Sequence, residues 1–178
     1  MPPAASERAA VAQLIAQLDQ AYDRRAWHGP NLRGSLRGVS VAQAAWRPAP
    51  DRHNIWEIAV HAAYWKYAVW RRLTGAPRAS FPIDGSNWFV RPQEGTLREW
   101  AADLALLRRM HARLRAAVAA LSPADLARRP AGSTHTRLAL VAGILAHDLY
   151  HAGQIQLLKK LGRHTCARRT RRPAPGVH

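Results

Sequence analysis

Apolar residues recur at spacings of three and four through four long stretches of the chain. No stretch alternates with the period of two that a half-buried strand requires. The first predicted helix spans 6–26, with Val11, Leu14, Ile15, Leu18 and Tyr22 on one stripe. Trp27-His28-Gly29-Pro30 ends it, and 31–38 reads as loop. Ser40-Val41-Ala42-Gln43 has capping-box form and starts a short helix that Pro48 cuts off. The second long helix starts at Asn54, with Glu57 at its third helical position, and runs to Thr74 before Gly75. Ile58, His61, Trp65 and Ala68 share one of its faces. The stretch 76–95 holds three prolines and two glycines without a period, as expected of a long crossover.

Thr96 with Glu99 caps the third long helix, which carries the clearest amphipathic pattern in the chain: Leu97, Trp100, Leu104, Leu107, His111, Leu114, Val118 and Leu121. His111 lies within that stripe and is expected at the core or its edge. Ser122-Pro123 supplies an N-cap and a first-turn proline for a short connecting helix. The fourth long helix spans 137–161 and is expected to stop at Gly162. Four amphipathic helices of similar length bury their stripes against one another, so the expected class is all-α, a four-helix bundle over residues 1–162. The crossover between the second and third helices is long enough to let those two run parallel. Residues 163–178 form a basic tail rich in Pro and Arg, expected to be disordered.

Composition narrows the function. With 48% apolar residues the chain is no disordered polymer, and no run approaches the ~20 apolar residues of a membrane span. The N-terminus lacks the apolar core of a secretory signal, so a cytoplasmic location is expected. Cys166 is the only cysteine, which excludes an intrachain disulfide and a thiolate metal cluster. A net charge of +16 would ordinarily point to nucleic acid. Here the basic residues are dispersed arginines, with Lys66, Lys159 and Lys160 the only lysines, and no nucleic-acid-binding motif accompanies them. Nucleic-acid association is therefore the least favoured reading.

The candidate chemistry lies in three histidines. His147 and His151 are four residues apart, which stacks both rings on one helix face about a turn apart. Neutral imidazole is a common ligand for zinc and its neighbours. Two ligands hold a metal weakly, and His61 on the second helix is the best-placed third. Three protein ligands leave positions free for water or substrate, the pattern of a catalytic site. The alternative is ordinary histidines on a wet or core face.

The chain resembles the DinB/YfiT-like superfamily of metal-binding helical bundles. The resemblance rests on His53-Asn54-Ile55-Trp56-Glu57-Ile58-Ala59-Val60-His61 with the following Ala63-Tyr64-Trp65-Lys66, and on His147-Asp148-Leu149-Tyr150-His151-Ala152-Gly153-Gln154-Ile155. It extends over residues 6–162. It implies an up-down-down-up bundle, a homodimer, and one divalent metal, zinc or nickel, held by His61, His147 and His151. It also implies small-molecule chemistry, with relatives that include transferases using a low-molecular-weight thiol. Many relatives have no known activity, so the fold does not settle the function. A metal-dependent thiol transferase or hydrolase is the preferred expectation, and a non-catalytic metal-binding or stress-response dimer the alternative.

Around the ligands, Glu57 is four residues before His61 and either orients that ring or completes the helix cap, the cap being preferred. Asp148 points a quarter-turn from His147, as for a surface salt bridge. Gln154 is placed to hydrogen-bond a ligand or a neighbouring helix. Tyr64, Trp65 and Tyr150 are expected along the pocket, or else in plain core. His28 is a candidate for the pocket mouth, and Gly85-Ser86-Asn87-Trp88-Phe89 for a lid. Trp56, Trp70 and Trp100 exceed what one core needs, and are expected to supply a dimer face.

Overall fold

The computed structural model describes residues 5–77 and 81–170, with side chains described over 9–77 and 81–163. The described residues form seven helices and no strand: α1 (Ala5–Tyr22), α2 (Leu32–Ser35), α3 (Val41–Ala45), α4 (Ile55–Thr74), α5 (Leu97–Ala119), α6 (Pro123–Ala127) and α7 (Arg137–Thr170). The four N-caps read from the sequence are all made. Ser40, Asn54, Thr96 and Ser122 accept from the backbone N–H three residues on, at 3.2, 2.8, 3.2 and 3.2 Å. Each such cap stabilises its helix by about 1 kcal/mol. Gly75 closes α4 in the left-handed conformation at φ 72°, which a side chain would resist.

Three boundaries differ from expectation. α1 stops at Tyr22 rather than 26, because the Asp23 and Arg24 N–H groups both turn back to the Asp19 carbonyl. The expected loop 31–38 contains α2, started by Asn31, whose side chain accepts from Gly34 N at 2.7 Å and donates to Arg24 O at 2.7 Å. α7 continues past Gly162 to Thr170. Gly162 does not take the left-handed conformation there; it lets Trp46 approach, since a Cβ at that position would lie 3.3 Å from the indole. Residues 171–178 of the expected disordered tail lie outside the described residues, as does the side chain of Cys166.

α4 packs against α5 and α7, and α1 packs against the same two helices. Their inward faces build two apolar clusters. One centres on Trp56, Leu107, Tyr67 and Ile155, the other on Leu18, Leu114, Val118 and Val141. Four buried polar side chains, one from each long helix, meet in the core: Tyr22, Lys66, His111 and Asp148. Lys66 and Asp148 form an ion pair with both side chains wholly excluded from solvent. The Lys66 ammonium also lies 5.0 Å from the Tyr22 ring centre, and His111 stacks on that ring at 3.7 Å. Asp148 therefore does form a salt bridge, but in the core rather than at the surface. The helix turns its carboxylate inward, towards α4.

Two of the three tryptophans expected at a dimer face, Trp56 and Trp100, are not available for one. Trp56 and Trp100 are buried within one chain, donating to Asp103 Oδ2 at 2.6 Å and Val39 O at 3.2 Å. Trp70 is half-buried against both clusters. The short helices and the crossover cover the aromatic surface that the helices alone would leave bare. Among the described residues, no helix is long and apolar enough to cross a membrane.

Candidate metal centre

α4 and α7 bring the three histidines together. His147 Nε2 lies 3.1 Å from His61 Nε2 and 3.1 Å from His151 Nε2. His61 and His151 are buried and His147 is half-buried. Two of the rings are held from behind. His61 Nδ1 donates to the Asn87 carbonyl at 2.7 Å, and His151 Nδ1 donates to Gln154 Oε1 at 2.6 Å. A neutral imidazole that donates from Nδ1 carries its lone pair on Nε2, so both of these Nε2 atoms are acceptors. A proton on His147 Nε2 can satisfy only one of them well. A cation among the three satisfies every lone pair, so the donor set fits a divalent metal. The outer hydrogen bonds are those that metal-ligating histidines use to fix tautomer and orientation.

Burial also keeps the rings in their ligating form. It pushes the His61 pKa down from 6.5 to about 4 and that of His147 to about 3, with the neighbouring imidazoles adding to both shifts. His151 is lowered by burial as well, against the pull of Gln154. Near neutral pH this disfavours the imidazolium form, which has no free lone pair for a metal.

The crossover closes over the site. Asn87 takes φ 63°, a left-handed conformation that asparagine tolerates better than most residues. That conformation offers its carbonyl to His61, while its side-chain oxygen accepts from Trp65 Nε1 at 3.0 Å. Trp88 is sandwiched between His61 and His53, with ring centres 3.8 and 3.6 Å away and planes nearly parallel. The stretch expected to act as a lid thus packs directly on a candidate ligand.

Glu57 meets the preferred expectation only through its backbone. Its backbone N–H receives the Asn54 cap, but its buried carboxylate turns away from both cap and His61. It pairs with Arg47 through both oxygens and accepts from His53 Nδ1 at 3.0 Å. Glu57 therefore anchors the His53 ring on which Trp88 stacks. Trp65 borders the triad, with its ring 6.1 Å from that of His147. Tyr64 packs away from it, against Phe81 and Phe89. Tyr150 is largely exposed and accepts from Gln154 Nε2 at 3.0 Å, steadying the residue that holds His151. His28 is exposed beside Trp27, and neither it nor Tyr64 or Tyr150 lines the cavity at His147.

Asn87, Trp88, His53 and Arg47 were missed as individual site residues. Only Asn87 carried a readable signal, an asparagine next to a glycine-containing turn and able to adopt positive φ.

A family model described as the DinB superfamily matches residues 24–155, a span that contains all three histidines. The chain belongs to the DinB superfamily. Comparison with curated proteins and with solved structures returned no match.

Proposed function

We propose that His61, His147 and His151 hold one divalent ion, zinc or nickel, and that the protein is a metal-dependent enzyme acting on a small molecule in the cytoplasm. In this reading α1, α4, α5 and α7 form an up-down-down-up four-helix bundle, with 76–95 as the crossover between α4 and α5. The observation that carries it is the convergence of three Nε2 atoms, two of them fixed as lone-pair donors by Asn87 and Gln154. When bound, such an ion supplies Lewis acidity that makes a nearby water or thiol nucleophilic at neutral pH.

The chain's own residues do the rest. Trp88 covers the His61 ring and excludes water from that side. Trp65 and His147 border a cavity of about 590 Å³, the size of a small-molecule site, so the centre is accessible. This access favours catalysis over a purely structural ion. Transfer of a low-molecular-weight thiol to an electrophile, or hydrolysis, fits such a site; the thiol and a homodimer rest on family resemblance.

The test is a panel of cellular thiols with model electrophiles, beside ester and amide substrates, using native, metal-stripped and His151→Ala protein. Turnover should disappear on stripping and in the variant, and return when zinc or nickel is restored to the stripped protein. Rates that survive metal removal would contradict the reading.

A further inference from the structure

The cavity beside His147 has a chemical polarity that the metal alone does not explain. Its walls are apolar where α4 and α7 face each other, at Val69, Leu140 and Ile144. Trp65 and His147 stand seven residues from Arg72 and Leu140 on their respective helices, about 10 Å along each axis. Arg72 is half-buried, and no carboxylate lines the cavity. Arg72 also has no carboxylate partner among the described residues. The last turn of α4 favours a cation, but Arg71 already stands there, outside the cavity. Gly143 keeps the α7 wall open: a Cβ built on it meets nothing within 4 Å.

Ser133, Thr134 and His135 add a polar edge to these apolar walls. An unpaired guanidinium beside apolar helix walls in a groove of ligand size matches a ligand with an apolar body and an anionic head, because guanidinium binds carboxylate through paired charge-assisted hydrogen bonds. We propose that this groove binds an amphipathic carboxylate, with its apolar body between Val69 and Ile144 and its head on Arg72. Its far end then lies at His147, which makes it the substrate class of the metal centre; that last step rests on the metal reading above.

The test is titration calorimetry of the full chain with phenylbutyrate and its uncharged counterpart phenylbutanol, with metal content measured on the same samples. The acid should bind about tenfold or more tighter than the alcohol, equivalent to ~1.4 kcal/mol or more. Arg72→Gln should bring the two affinities together at unchanged metal content. Gly143→Leu, which fills the groove from a position with free space, should weaken both ligands. His147→Ala should keep the acid preference after losing its metal. Equal affinity for acid and alcohol, no binding of either, or a preference that survives Arg72→Gln would each overturn the proposal. A wild-type protein with one metal per chain and no acid preference refutes the groove alone, whereas an acid preference in a protein that takes up no metal refutes the metal reading alone.

Discussion

Replacing Lys66 by methionine should destabilise the fold far more than the loss of one surface charge would. Lys66 and Asp148 are both wholly buried and paired, and Asp148 Oδ1 has no other partner. Removing the ammonium leaves a carboxylate in the core without a counter-charge, a change that costs about 3–5 kcal/mol. At ~2–4 °C per kcal/mol for a chain of this size, Tm should fall by about 6–20 °C. The double variant Lys66→Met/Asp148→Leu removes both charges and should recover most of that loss. Urea unfolding of the two single variants and the double, all metal-stripped so that bound ion adds nothing, yields the coupling energy. The pH dependence supplies a second check. Burial pushes the Asp148 carboxyl up from 3.8 against the pull of Lys66, and without Lys66 it rises further. A carboxyl raised in the folded state keeps its stability below its unfolded pKa and loses it as pH rises through the folded value. The deficit of Lys66→Met should therefore be smaller at acid pH than at neutral pH. A loss under ~1 kcal/mol, or no coupling between the two sites, would refute the reasoning.

Acid should unfold the protein partly through His111, whose pKa burial pushes down from 6.5 to about 3, with Lys66 adding to the shift. Its stabilising share is present above 6.5 and lost as pH falls towards 3, at up to ~1.4 kcal/mol per pH unit. His111→Phe keeps the ring on Tyr22 and removes the buried unpartnered Nδ1, so its stability should fall less steeply between pH 6.5 and 3; an unchanged slope would show that His111 already charges in the folded state. Asn87→Val, which cannot readily hold φ 63°, should weaken metal affinity about 10–100-fold, the usual cost of losing an outer-shell partner. Asn87→Gly keeps the backbone and its carbonyl and should weaken it less, and equal losses in the two variants would remove the backbone argument.

The long helices and their caps were legible because local rules decide them. Asn54, Thr96 and Ser122 cap through groups only three residues away, and the stripes on α4 and α5 repeat without interruption. The same periodicity brought His147 and His151 to one face. What sequence could not supply was the orientation of polar side chains across the core. The spacing of Asp148 from His147 shows that it leaves the ligand face, but not that Lys66 waits on α4 82 residues earlier. Glu57 looked like a cap residue because its position fits one, yet its carboxylate finds hydrogen-bond donors on Arg47 and His53 that the cap does not offer. Gly162 looked like a helix stop because glycine has two uses, and here close approach to Trp46 prevails over chain reversal.

The metal reading stands on one measurement before any other. Elemental analysis of the native protein should find close to one divalent ion per chain. His61→Ala, His147→Ala and His151→Ala should each lose most of it, whereas His111→Ala, whose ring lies on Tyr22 rather than in the triad, should keep it. Full retention of the ion in His147→Ala would contradict the ligand set, since that ring stands between the other two.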